Sequence, residues 1–292
     1  MGVLLRPEAR RPLLRFAVAL PRLRGRSHEH PGRTLAGAAG ILAASVLADS
    51  ATEHYRGSFH NKAMFAPLAA STAALAASLH ASGDVGPKAR RLRDLAFAAA
   101  GLVSAAGGLF HLYNVGKKPG GFSLNNFFYQ APLGAPFALM LSGALGFLSE
   151  RVRGKRGAKI VGIPAGRALG AMAAGGIAGT VAEAGFLHYR GAFQNPAMFV
   201  PVIAPPAAAA ALAAATARPS GPHGLARSLL WATAAAGIAG PFFHAFGVSR
   251  QMGGWRNWRQ NVLSGPPIPA PPAFAGLALV GLLALKLMED EA

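Results

Sequence analysis

The placing of the basic residues constrains this chain more than any other feature. All 29 Lys and Arg fall outside eight stretches: 34–55, 63–87, 94–116, 119–150, 168–189, 191–217, 228–249 and 260–285, each of 22 residues or more. An α-helix rises about 1.5 Å per residue, so roughly 20 apolar residues cross the hydrocarbon core of a bilayer. Eight such stretches in a chain that is 52% hydrophobic and 14% charged predict an all-α integral membrane protein with eight transmembrane helices. A soluble domain would carry about a quarter charged residues.

The basic residues also take sides. If every stretch crosses, 21 of them share one face and eight the other: Arg56, Lys62, Lys117, Lys118, Arg190, Arg250, Arg256 and Arg259. The positive-inside rule then puts both termini in the cytoplasm, in a multi-pass protein of the inner (plasma) membrane. That bias accounts for the net charge of +18 with membrane lipids as the partner and no nucleic acid. Leu13–Leu20 is short, broken by Arg15 and followed by Arg22, Arg24 and Arg26, so it reads as a basic interfacial segment and not as a signal peptide. The absence of cysteine excludes disulfides, thiolate metal sites and thiol nucleophiles. No Gly-rich phosphate loop, HExxH or GxSxG pattern is present.

An internal duplication organises the rest. Residues 54–67 read HYRGSFHNKAMFAP and residues 188–201 read HYRGAFQNPAMFVP, with ten of 14 positions identical. A second echo follows: His111 precedes Val115, Lys117 and Gly120-Gly121, and His244 precedes Val248, Arg250 and Gly253-Gly254. The expected organisation is a basic cytoplasmic segment (1–34), a first four-helix repeat (35–150), a basic linker (151–165), a second four-helix repeat (166–287) and a short cytoplasmic tail (288–292). An even number of spans per repeat makes the two tandem repeats parallel. Both HYRG loops and both Gly-Gly loops then emerge together on the non-cytoplasmic face. Asn61 and Asn195 are placed to cap the helices that follow, Gly57 and Gly191 to end the helices that precede, and Pro196 sits at a tolerated first position. Tyr55, Phe59, Tyr113, Phe122, Phe127, Phe128, Tyr129, Trp255 and Trp258 form an aromatic belt there.

Four histidines are matched between the repeats, His54 with His188 and His111 with His244, each near the outer end of its helix. Two imidazoles from neighbouring helices at one depth suit the axial positions of a haem iron, with Arg56 and Arg190 in the layer where propionates would lie. The competing reading makes the four histidines helix C-terminal caps bonded to loop carbonyls. His28, His30, His60, His80 and His223 have no counterpart and read as solvated or interfacial. Asp49 and Glu183 are matched acids five residues before their histidines, about 7.5 Å deeper and about 140° round the helix. An ionised acid in a span costs about 2.5–3.5 kcal/mol, so the pair invites either an Asp–Arg pin with Arg56 and Arg190 or an ion or proton relay. The Gly-Gly loops read as flexible hairpins or, by their charge and amides, as anion or partner sites.

Three functions follow. The first is a redox or anchor subunit, binding haem b or quinone through His54, His111, His188, His244, Arg56 and Arg190 and docking a periplasmic protein. The second is a transporter of a small solute or ion using Asp49 and Glu183. The third is a structural or assembly protein without a ligand.

Overall fold

A computed structural model describes residues 30–81, 83, 86–129 and 133–291. The basic segment up to 29, with Leu13–Leu20 and His28, lies outside the described residues, as do the side chains of His30, Phe128 and Tyr129. The chain is helical: α1 (His30–Arg56), α2 (Ala66–His80), α3 (Pro87–Gly116), α4 (Leu124–Tyr129), α5 (Gly134–Val152), α6 (Ala165–Arg190), α7 (Val200–Ala217), α8 (Gly224–Ser249), α9 (Trp258–Ser264) and α10 (Pro272–Glu291). Among the described residues, seven helices are long and apolar enough to cross a membrane: α1, α3, α6, α8 and α10, with α2 and α7 lengthened by the short 3-10 turns before them. This is an all-α, multi-pass membrane protein.

The eighth helix in the bundle is α5, which falls short of that standard. Its last turn is the polar run Ser149-Glu150-Arg151-Val152. A stretch without Lys or Arg overstated its apolar length, because 119–150 also contains a hairpin and the short α4. The same applies to 260–285, where the long helix starts only at Pro272. At the other extreme α1 begins at His30, ahead of its basic-free stretch, since a helix need not stop where its apolar run does.

The long helices form two squares. In the first, α1 packs on α2, α2 on α3, α3 on α5 and α5 back on α1; in the second, α6, α7, α8 and α10 close in the same order. Consequently α1 and α3 face each other across a diagonal, as do α6 and α8. Small residues set the spacing, as expected where lipid supplies no hydrophobic drive between helices. A Cβ on Gly143 of α5 would lie 2.6 Å from the Phe97 carbonyl of α3. One on Gly237 of α8 would lie 2.5 Å from the Ala275 amide nitrogen of α10. The squares join mainly through α1 and α10, with a smaller contact between α5 and α6. Leu35, Leu42, Leu139, Leu169, Ile177, Leu277 and Leu285 belong to one continuous core that runs through both.

The basic 151–165 segment folds into a small antiparallel hairpin, Lys159–Ile160 against Ile163–Pro164. Val161 and Gly162 both take positive φ (50° and 80°), the backbone a two-residue hairpin turn demands. Nearby, Glu150 is buried among arginines: 3.0 Å from Arg93, 3.4 Å from Arg153 and 3.9 Å from Arg90.

Candidate functional site

Both HYRG loops sit at the same end of the bundle. Arg56, the last residue of α1, donates to the Leu263 carbonyl on α9 (2.9 Å). That short helix follows α8, whose His244 lies beside His188 of α6. The matched polar residues therefore gather at one end, called here the motif end.

Each loop folds by the same local rules. Asn61 Oδ1 accepts from the Ala63 amide and Asn195 Oδ1 from the Ala197 amide, both at 2.9 Å, so both caps form as the sequence predicts. Helix α1 closes with Phe59 N–H on the His54 carbonyl (3.0 Å) and Ser58 N–H on Tyr55 (2.9 Å); α6 repeats this with Phe193 on His188 (3.1 Å) and Ala192 on Tyr189 (2.8 Å). This paired 6→1 and 5→2 pattern normally puts glycine in the left-handed position. Here the positive φ angles fall on Ser58 (58°), Phe59 (45°), Ala192 (53°) and Phe193 (46°), while Gly191 has φ −79°.

Glycine at 57 and 191 thus answers a packing need. A Cβ would lie 3.1 Å from Met64 Cε in the first loop and 2.8 Å from Met198 Cε in the second. The phenylalanines then stack, Phe59 on Phe65 at 4.3 Å and Phe193 on Phe199 at 4.5 Å. Phe59 and Phe193 each present an edge-on contact, at 6.2 Å, to the histidine of the same loop.

The histidines are held through one ring nitrogen. Nδ1 of His54 bonds the Met64 carbonyl (2.6 Å), Nδ1 of His188 the Met198 carbonyl (2.8 Å) and Nδ1 of His244 the Pro267 carbonyl (2.6 Å). A carbonyl can only accept, so Nδ1 carries the proton and Nε2 keeps its lone pair in the neutral ring. The rings of His188 and His244 stand 6.4 Å apart at 72°, and His111 lies within electrostatic reach of His54. All four are half-buried. His188 and His244 are thus a ring pair drawn from the diagonal helices of the second square, and His54 and His111 stand on the matching helices of the first.

Two imidazoles held in this way could serve as protein ligands of a haem iron. Among the described residues no group of three or more His, Asp or Glu could hold a metal. A porphyrin, which brings four equatorial nitrogens, asks the protein for two ligands only. Below the rings the small residues divide in purpose. A Cβ on Gly107 would meet nothing within 4 Å, whereas one on Gly240 would lie 2.3 Å from Pro271 Cβ. The first leaves room under His111; the second permits helix packing.

Arg56 bonds Glu53, a residue one turn earlier on α1, in place of the Asp49 pin the sequence suggests. Glu183 accepts from the Gly134 amide at the start of α5, and any Cβ at Gly134 would overlap its carboxylate. An acid at a helix N-terminus is favoured by the dipole and the unpaired amides, so Glu183 ties α6 to the neighbouring square. Asp49 lies half-buried within electrostatic reach of Glu53, Glu183 and Arg56.

An asparagine pins each Gly-Gly loop. Buried Asn126 donates to the carbonyls of Pro119 (3.0 Å) and Gly121 (2.6 Å). Asn261 does the same to Met252 (3.2 Å) and Gly254 (2.8 Å). Sequence reasoning missed this pair, because the asparagines are offset by 135 and the glycines by 133. It also missed the matched ion pairs at the opposite end, Arg93 with Glu150 and Arg227 with Glu289. Tyr55, Tyr113, Phe122, Trp255 and Trp258 are exposed around the motif end, as an interfacial belt requires.

Fold and site together define a polytopic helical membrane protein with histidine pairs gathered at one end. No protein family, characterised protein or solved structure matches the chain.

Proposed function

We propose that this chain is a haem b-binding redox or anchor subunit of the inner membrane. Its eight helices form two tandem parallel repeats, 35–150 and 166–287, with α5 crossing despite its short apolar run. The 1–34 segment, the 151–165 linker and the 288–292 tail are cytoplasmic, and the motif end faces the other side, where its paired loops dock a periplasmic protein. The observation that carries this reading is the His188–His244 pair. Two imidazoles fixed through Nδ1, with Nε2 free and ring centres 6.4 Å apart, come from helices that face each other across a four-helix square. Bundle cofactors are commonly held in that way, by side chains on facing helices.

In this reading His188 and His244 hold one haem and His54 and His111 a second, supplying reversible one-electron transfer between membrane and partner. The backbone carbonyls of Met64, Met198 and Pro267 orient the rings and strengthen them as ligands. Arg56 and Arg190 supply positive charge in the layer where propionates would lie.

The test is the absorption spectrum and iron content of protein purified from haem-supplied cells. A Soret band that sharpens on reduction is expected, with about half of it lost in His244→Ala and about half in His111→Ala. A colourless, iron-free preparation sinks the proposal.

A further inference from the structure

A cavity lies where the two squares meet at the motif end, beside the residues that follow His54 on α1. It has a volume of about 520 Å³ and is lined by Tyr55, Arg56, Ser58, Phe59, Arg259, Gln260, Leu263 and Ser264. One wall is the first HYRG loop and the other is α9. Two guanidinium groups thus face one space, contributed by distant parts of the chain.

Their charges are unequally balanced. Arg56 has Glu53 beside it. Arg259 has no carboxylate partner among the described residues; its Nη2 donates to Tyr55 Oη (2.5 Å) and its guanidinium lies 5.7 Å from the centre of that ring. Each arginine has five N–H donors, and these contacts leave several unused. The hydroxyl of Ser58 and the side-chain amide of Gln260 add uncharged donors. Two like charges held against one cavity are repulsive until an anion sits between them, and guanidinium forks match the paired oxygens of a phosphate.

The second HYRG loop offers a comparison within the same molecule. It repeats Tyr, Arg and Phe at 189, 190 and 193, but the position matching Arg259 in the register of the two pinning asparagines is Leu124. The second guanidinium of the cavity thus has no counterpart at the matching position of the other repeat.

We infer that this cavity is a phosphate-binding site, distinct from the histidines, which Arg56 and Arg259 clamp with help from Ser58 and Gln260. Its ligand is a phosphate ester held at the depth of the exposed aromatic residues. A phospholipid headgroup and a soluble phosphate both supply that chemistry.

The experiment is thermal unfolding of the full-length protein in a maltoside detergent, which carries no phosphate, followed by tryptophan fluorescence. Three conditions are compared: detergent alone, detergent with added phosphatidylglycerol, and detergent with added inorganic phosphate. A higher midpoint with phosphatidylglycerol alone identifies the lipid source, and a higher midpoint with inorganic phosphate a soluble one. Arg259→Gln should weaken the response about tenfold in ligand concentration, the loss expected for one charge-assisted pair. Lys118→Gln removes one positive charge from the same end, away from the cavity, and should leave the response intact. Four results would overturn the inference. The midpoint is indifferent to both phosphate sources in the native protein; Arg259→Gln responds normally; Lys118→Gln loses as much as Arg259→Gln; or a neutral short-chain quinone gives the shift in place of phosphate. The native protein alone supplies the first and last of these, so an unstable variant does not shield the proposal.

Discussion

The turn that follows each motif histidine sets up a quantitative test. Ala192 holds φ at 53° and Ser58 at 58°, in the left-handed region where a Cβ costs about 1–2 kcal/mol. Glycine removes that penalty but loses more backbone entropy on folding, about 0.5–1 kcal/mol. The net expectation for Ala192→Gly is a stabilisation of about 0.5–1 kcal/mol. Ser58→Gly should give a similar gain, and the double variant their approximate sum, since the two turns share no described partner. For a chain of this size each step corresponds to a rise of about 2 °C in unfolding midpoint. The assay is the fraction remaining soluble after heating in detergent at a fixed ramp, which tolerates irreversible unfolding. Gly191→Ala is the opposing control. Its φ of −79° imposes no backbone penalty on a methyl group, so a drop in midpoint would report the Met198 Cε only 2.8 Å away. Phe193 N–H closes the turn on the His188 carbonyl, so the same turn that stores the strain also fixes the backbone of the histidine. An unchanged or lowered midpoint in both Ala192→Gly and Ser58→Gly would refute the account of these loops.

Three further outcomes follow from other parts of the structure. Asn261→Ala strips two loop carbonyls of their donor, at about 1–3 kcal/mol, and should speed hydrogen–deuterium exchange across 250–254; Asn126→Ala should do so across 117–121. Glu150→Gln leaves Arg93 and Arg153 buried, at 3% and 6% side-chain exposure, without their carboxylate. A loss of about 3–5 kcal/mol is expected, against no more than about 1 kcal/mol for Glu289→Gln in its half-exposed pair with Arg227, as read from thermal midpoints of the two variants. Because the chain has no cysteine, single Arg56→Cys and Arg190→Cys proteins can be labelled in intact cells with a membrane-impermeant maleimide. Both should react, and Lys88→Cys should not; reaction of only one of the first two would dismantle the parallel-repeat arrangement.

The duplication was legible because ten identities at a constant spacing need no tertiary information to be seen. The asparagine caps were legible for a related reason: a capping bond spans two residues, and its chemistry is written locally. What the sequence hid were contacts between partners far apart or out of register. Gly57 and Gly191 were expected to serve backbone conformation, the usual use of a glycine at a helix end. Only the folded loop reveals that Met64 and Met198 need the space. The paired acids were expected to meet arginines on their own helices. Glu183 instead takes an amide from α5, a partner that exists only once the two squares are docked. Arg259 was read as one basic outer residue among eight. Its significance depends on α9 folding back over the first loop, to put Tyr55 within 2.5 Å.

These differences bear directly on function. Eight of the ten residues shared by the two HYRG loops have defined roles in building the loop: His, Gly, Phe, Asn, Ala, Met and Phe through the contacts above, and Pro in the first turn of the following helix. Structural necessity alone thus explains most of the repeated motif. What loop-building in the motif leaves unexplained is that a second histidine stands 6.4 Å from His188 on the diagonal helix, bonded to a carbonyl of a different segment. The proposed ligand site therefore rests on the pairing and not on the repetition of the motif. For that reason His111→Ala and His244→Ala discriminate more sharply than any substitution within the motif: neither residue belongs to a HYRG loop, so loss of a haem signal in them cannot be blamed on a broken turn.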